Sequence, residues 1–210
     1  MTEIELRAAI CEAGRRLWQK GLIGGAEGNL SARISPQRLL FTPSGVSKGH
    51  LRPDQLLITD LHGVPQGAGQ PSSEIRMHLA IYAARPDCQA VVHAHPPYAT
   101  AFALAGEDIP DCLTPEAAVV LGSVATVPFA MPGTDALPLA MEPLLADHKA
   151  FLLSHHGATT LGRGVLDALY RMETLERAAQ MLVLARSVGG AKPLPAHVVE
   201  QLGKFLNGEL

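Results

Sequence analysis

With 210 residues the chain is long enough for one domain with a sizeable core, and its 47% hydrophobic but only 4% aromatic content points to an aliphatic interior. Its formal net charge of -3 offers no attraction for nucleic acid or an anionic membrane, so neither is an expected partner. Cys11, Cys88 and Cys112 are odd in number, widely spaced and without a C-x-x-C pair, which reads as reduced thiols in a cytoplasmic protein.

The N-terminus, Met-Thr-Glu-Ile-Glu, carries acid where a secretory leader needs base followed by an apolar run. No uninterrupted apolar stretch reaches about 18 residues, so no membrane span is expected. Residues 2–20 read as a helix: Thr2 and Glu5 form a capping-box pattern, and Leu6, Ile10, Ala13 and Leu17 trace one face. Gly21 ends it. Gly24-Gly25-Ala26-Glu27-Gly28-Asn29 follows as a loop whose glycines permit tight turns and close backbone approach. Leu30–Ile34 and Leu39–Thr42 read as strands joined at Ser35-Pro36, and Leu56–Thr59 as a third. Residues 62–73 are loop, and Ser72-Ser73-Glu74 opens a helix that runs to about Arg85, closed by Pro86. A strand bearing His93 and His95 comes next, then a helix over Pro97–Ala105. Two β-like runs, Ala118–Leu121 and Val124–Val127, are expected on either side of Gly122. A helical pattern occupies Ala136–Ala146, and Ala150–Ser154 and Ala158–Leu161 read as buried strands. The longest helix spans about Val165 to Val188, with apolar residues every three or four positions, and a short amphipathic helix near 197–206 ends the chain. Strands and helices mix without a regular βαβ rhythm, which implies one α/β domain with a mixed sheet between helices.

The chemistry is concentrated in a few short stretches. In Val91-Val92-His93-Ala94-His95 an extended backbone projects residues i and i+2 from one face, so His93 and His95 lean toward a common point. Convergent imidazoles suit a divalent cation of the zinc type. Taken singly, each histidine is better explained as a polar group satisfied by a backbone hydrogen bond; what favours a ligand is its place at the end of an apolar strand. His155-His156-Gly157 ends another apolar run, and there His156 is the better ligand because Gly157 leaves room beside it, while His155 points to the opposite face. Glu74, at a helix start, is the candidate acid/base; a plain first-turn charge matched to the helix dipole explains it equally well. Gly28-Asn29, Ser44-Gly45 and Ser72-Ser73 are polar turns that together could cradle a phosphate. No Walker motif or G-x-G-x-x-G is present, which disfavours a nucleotide.

The ordered set Gly28-Asn29, Pro43-Ser44-Gly45, Pro71-Ser72-Ser73-Glu74, Val92-His93-Ala94-His95 and His155-His156-Gly157 resembles the class II aldolase/adducin-head family, and within it the fuculose-phosphate-type aldolases, over about residues 4–190. The resemblance implies a single three-layer α/β/α domain over 1–210 with a mixed, largely antiparallel central sheet. It further implies a homotetramer with sites between subunits. Zinc (or manganese, iron or cobalt) is expected on His93, His95 and His156 with Glu74 joining at rest. Glu74 is the implied catalytic acid/base, and Gly28, Asn29, Ser44, Gly45, Ser72 and Ser73 the implied phosphate site. The expected reaction is cleavage of a small ketose 1-phosphate to dihydroxyacetone phosphate and an aldehyde through a metal-stabilised enediolate. A methylthioribulose-1-phosphate-type dehydratase or a decarboxylase of a phosphorylated oxo-acid is the alternative, since each needs the same enolate. A pentulose-phosphate 4-epimerase comes after these, because such members place aspartate at position 74.

Two departures stand out. The tyrosine that fuculose-type aldolases carry after an Ile-Pro pair is replaced here, after Ile109-Pro110, by Thr114-Pro115-Glu116, and no tyrosine lies near the C-terminus. Glu116 thereby becomes the candidate second proton donor, reaching into a neighbouring subunit's site. Two other classes fit less well. A cupin-like iron oxygenase would lack the long helices at 2–20 and 165–188. A non-catalytic adducin-like scaffold would not keep all four ligand positions.

Overall fold

The computed structural model describes residues 1–206 apart from Cys112 and Pro193. Seven strands form one sheet: β1 (Asn29–Ser35), β2 (Arg38–Phe41), β3 (Leu57–Thr59), β4 (Ala90–Ala94), β5 (Val124–Val127), β6 (Ala150–Leu153) and β7 (Gly157–Gly162). Their order is β3-β2-β1-β4-β7-β6-β5, and every neighbouring pair is antiparallel except β5 with β6. The helices are α1 (Glu3–Gln19), α2 (Ile75–Ala84), α3 (Pro97–Ala105), α4 (Pro115–Leu121), α5 (Ala136–Met141), α6 (Val165–Arg186) and α7 (Ala196–Leu206). The α/β/α layering is therefore the one the resemblance implies.

Alternation along the strands sorts side chains onto two cores. Leu30, Ala32, Leu40, Val92, Ala94, Leu152 and Ala158 face one side, where α1, α3, α4 and α6 contribute Leu6, Ile10, Phe102, Leu121, Leu169 and Met172. Leu39, Phe41, Val91, Val127, Phe151 and Leu161 face the other, covered by Met77, Ile81 and Tyr82 of α2 and Leu137 and Met141 of α5. His93 is in phase with Val91, so it enters the α2 side of the sheet. That placement governs the site.

The capping box at α1 is present, with Thr2 Oγ1 accepting from Glu5 N and Glu5 Oε2 accepting from Thr2 N. The β-like run expected at Ala118–Leu121 is instead the second half of helix α4. A short apolar run fits strand and helix alike by periodicity, and the flanks decide: Thr114 caps Ala117 N at 3.1 Å, Pro115 occupies the first turn, and Gly122 closes the helix at φ +66°. The helix expected to reach Ala146 stops at Met141 and continues as a 3₁₀ turn, Glu142–Leu144, with Pro143 at its start. Cys11 and Cys88 carry free thiols, and Cys112 lies outside the described residues. Among the described residues no helix is long and apolar enough to cross a membrane.

Candidate metal centre

The site is built on strand register. Asn29 of β1, His93 of β4 and Thr159 of β7 stand side by side across three hydrogen-bonded strands. Gly28, at φ +67°, permits this approach: a Cβ there would lie 2.7 Å from the His93 carbonyl and 2.8 Å from Ile23 Cγ2. His93 is fully buried, and its Nδ1 lies 3.0 Å from the Ala158 carbonyl and 3.2 Å from Thr159 Oγ1. A carbonyl only accepts, so Nδ1 carries the proton and Nε2 is left with its lone pair. That lone pair faces His95 Nε2 at 3.1 Å and Glu74 Oε2 at 3.1 Å.

His95 follows the end of β4 and is tied back by its N–H to the Leu22 carbonyl at 3.0 Å. His156 closes the turn between β6 and β7, where His155 takes φ 56° and turns its exposed ring toward Phe129. His156, with its N–H on the Leu153 carbonyl, is the member of the pair that enters the cluster. Gly157 gives it room: a Cβ there would sit 2.5 Å from the Ala94 carbonyl and 2.7 Å from His95 Cδ2.

One ligating atom from each of His93, His95 and His156 lies within 4.8 Å of the other two. Burial first, then the neighbouring His93, pushes the His156 imidazolium down to about 4 and lowers that of His95 too. Both are held toward the neutral form, in which each ring has one nitrogen lone pair to offer a cation. Glu74 adds a carboxylate: Oε1 lies 3.2 Å from His156 Nε2, and among the described residues neither Glu74 Oε1 nor His156 Nδ1 has a hydrogen-bond partner. Burial raises the Glu74 carboxyl, while positive charge at His93 and then His156, with the Asn29 amide N–H, lowers it to well below the usual carboxylate range; where the rings are neutral, that positive charge is what a cation among them would supply. An ionised, half-satisfied carboxylate against three imidazole lone pairs is a donor set that fits a divalent cation of the zinc type.

Glu74 is the N-cap residue of α2, yet its side chain does not cap the helix. It is turned away to the histidines, with its own N–H on Ser72 Oγ at 3.4 Å. The loops expected to hold phosphate come together through backbone pairing. Pro43 bridges Pro71, Ser44 N donates to the Gln70 carbonyl and Ser72 N to that of Thr42, which sets Ser44-Gly45 alongside Ser72-Ser73. Asn29 is committed elsewhere in part: one amide N–H goes to Glu74 Oε2 at 2.8 Å, and Oδ1 lies 2.5 Å from His78 Nε2.

Glu116 falls in the exposed first turn of α4 and lines a groove of about 890 Å³ with Tyr98, Tyr170, Glu173 and Glu176. None of the clustered histidines lines that groove. Two residues escaped the reading of motifs. His78 is buried beneath Asn29, and its spacing of four from Glu74 was the available signal. Lys48 is buried, with its ammonium on the Ala26 carbonyl of the glycine loop at 2.8 Å and no ion-pair partner among the described residues.

Comparison with known proteins agrees with this architecture. A family model described as Class II Aldolase and Adducin N-terminal domain matches residues 8–183. The 3-oxo-tetronate 4-phosphate decarboxylase of Haemophilus influenzae is 33% identical over 86% of this chain and 88% of its own length. The 5-methylthioribulose-1-phosphate/5-deoxyribulose-1-phosphate aldolase of Rhodospirillum rubrum is 35% identical over 97% of this chain and 92% of its own. The crystal structure of YgbL from Klebsiella pneumoniae superposes with a TM-score of 0.90 at 32% identity, covering 96% of this chain and 99% of that one. The five motifs, the three-layer fold and these matches agree that the chain belongs to the class II aldolase and adducin N-terminal domain family.

Proposed function

We propose that the protein is a metal-dependent lyase that decarboxylates a small phosphorylated oxo-acid of the 3-oxo-tetronate 4-phosphate class. The observation that carries this reading is the likeness to decarboxylases of that name, at 33–35% identity over most of both chains. The site chemistry supports it. Retro-aldol cleavage needs one group to take the proton of the departing aldehyde's hydroxyl and another to protonate the remaining carbon. Loss of CO₂ needs only the second, and one buried carboxylate, Glu74, lies against His93 and His156 at 3.1 and 3.2 Å, whereas Glu27, 3.9 Å from His95 Nδ1, is half exposed. The fuculose-type aldolase is accordingly the weaker reading, and the role expected of Glu116 belongs to it alone.

His93, His95 and His156 would hold the cation, which when bound supplies Lewis-acid stabilisation of developing negative charge. The C1–C2 bond of the substrate breaks, CO₂ leaves, and the electron pair spreads from C2 onto the C3 carbonyl oxygen. Glu74 then delivers a proton to C2, and dihydroxyacetone phosphate is the product. One proton is consumed per turnover, so Glu74 must first take one from solvent. The arriving substrate promotes that uptake, because its like charge disfavours the ionised carboxylate. The loops at Gly28-Asn29, Ser44-Gly45 and Ser72-Ser73 would seat the phosphate, with buried Lys48 contributing positive charge from behind the first of them.

One observation favours a second reading: aldolases of 5-deoxyribulose 1-phosphate match 96–97% of this chain at 33–35% identity. Assay of the metal-loaded protein separates the two. Decarboxylation of 3-oxo-tetronate 4-phosphate yields CO₂ and dihydroxyacetone phosphate in equal amounts, without an aldehyde. Aldehyde release from 5-deoxyribulose 1-phosphate, with no CO₂ from the oxo-acid, would establish the aldolase instead.

A further inference from the structure

Behind Glu74, helix α2 and strand β1 interleave their polar side chains like the teeth of a zipper. Glu74, His78 and Tyr82 recur every four residues along the helix, and Asn29 and Ser31 every two along the strand. Four residues of helix rise by about 6 Å and two of strand by about 6.8 Å, so the two sets stay in step. The contacts alternate accordingly. Asn29 Nδ2 donates to Glu74 Oε2 at 2.8 Å, Asn29 Oδ1 meets His78 Nε2 at 2.5 Å, His78 Nδ1 meets Ser31 Oγ at 2.6 Å, and Ser31 Oγ meets the Tyr82 hydroxyl at 2.9 Å. All five residues are buried.

The sense of every bond follows from the first. An ionised carboxylate only accepts, so Asn29 must present its N–H to Glu74 and its carbonyl oxygen to His78. His78 must then carry its proton on Nε2, which leaves Nδ1 to accept from the Ser31 hydroxyl, while Tyr82 donates to Ser31. Reversing any one link in this buried row sets lone pair against lone pair or N–H against O–H, a cost of about 1–3 kcal/mol for a buried unsatisfied group. The His78 ring packs against Phe41, with centroids 5.3 Å apart, and so directs one nitrogen to Asn29 and the other to Ser31.

We propose that His78 is a positioning residue for Glu74: acting through Asn29, it holds the glutamate carboxylate toward the histidine cluster. Without the His78 N–H, the Asn29 amide is free to turn over and Glu74 loses its one fixed donor. This inference rests on the reading of Glu74 as the proton carrier.

Two experiments test it. Nitrogen-15 NMR of histidine side chains, on the unaltered protein in metal-free form, should show His78 as the neutral Nε2–H tautomer with a slowly exchanging proton. An Nδ1–H tautomer, or rapid exchange, overturns the proposal. Next, His78→Leu keeps the bulk and removes both bonds, whereas His78→Gln can donate to Asn29 and accept from Ser31. In decarboxylase assays His78→Leu should lower kcat about 10–100-fold, the range usual for an outer partner of a catalytic group. KM should move less than about threefold, metal content should stay unchanged, and His78→Gln should recover most of the loss. Equal kcat for Leu and the parent, or equal loss for Leu and Gln, overturns the proposal as well. Where a variant does not fold, the tautomer of the unaltered protein still decides. Absence of turnover by the unaltered protein counts against the reaction, while a wrong tautomer counts against this inference.

Discussion

His93 is fixed from behind by the Ala158 carbonyl and Thr159, whereas His95 and His156 stand where the chain leaves the sheet. Each nonetheless supplies one of three nitrogens, and removing any one leaves two. His93→Ala, His95→Ala and His156→Ala are therefore expected to lose metal, while His155→Ala, whose ring faces Phe129, keeps it. Metal analysis after dialysis against a weak chelator checks this, and an empty His155→Ala protein would reverse the assignment within the pair. Glu74→Gln should retain metal, because three imidazoles remain, yet lose about 10²–10⁴-fold in rate, the usual contribution of a general acid–base group. A loss under about tenfold would reduce Glu74 to a structural partner of Asn29. The clustered residues were legible because short motifs name them. His78 was not, since a histidine on an apolar helix face reads as core until the strand opposite it is known.

Strands β1 and β4 carry the site between them, and their contact depends on a residue without a side chain. At Gly28 an added Cβ meets both left-handed backbone strain and overlap with the His93 carbonyl, whereas at Gly25, φ +48°, nothing among the described residues lies within 4 Å of it. Gly28→Ala should thus destabilise the fold by about 1–3 kcal/mol and weaken metal binding, since β1 must move away from His93. Gly25→Ala should show the smaller stability loss and bind metal as the parent does. Urea unfolding and a metal titration on both variants give the comparison, and equal effects would mean that strain alone matters. Periodicity also explains which elements could be read from sequence. The strands at β4 and β6 and the helices α1, α3 and α6 declare themselves through apolar pattern with clear stops. Helix α4 does not, because five consecutive apolar residues (Ala117–Leu121) have no distinguishing period and only Thr114 and Pro115 mark a helix start.

At the scale of the molecule, sequence reading ended where long-range pairing begins. Nothing local foretells that β5 lies parallel to β6, or that Pro43 meets Pro71 and so joins two of the three polar loops. The same long-range closure seals the α2 face of the sheet from water, and this has a consequence for acid stability. His78 is enclosed by Asn29, Ser31, Tyr82 and Phe41, with Glu74 and His93 as the nearby titratable groups. Burial first, then His93, against the opposing charge of Glu74, pushes the His78 imidazolium down to about 3. In the unfolded chain the same group titrates near about 6.5. Between those values the unfolded state binds the proton and the folded state does not, so stability rises with pH across the window and is lost as pH falls. The loss begins below about 6.5 and reaches about 3 kcal/mol near pH 4, from about 1.4 kcal/mol for each pH unit crossed. His156, pushed down to about 4, and His95, lowered too, add losses of the same sign, so the fall is assigned by comparison with a His78 variant. Urea unfolding of the metal-free protein at pH 7 and pH 4 should show this fall. His78→Gln, which has no proton to gain, should flatten it by most of that amount. Parallel falls in the two proteins would show that His78 titrates as freely folded as unfolded, and that α2 does not seal it from water.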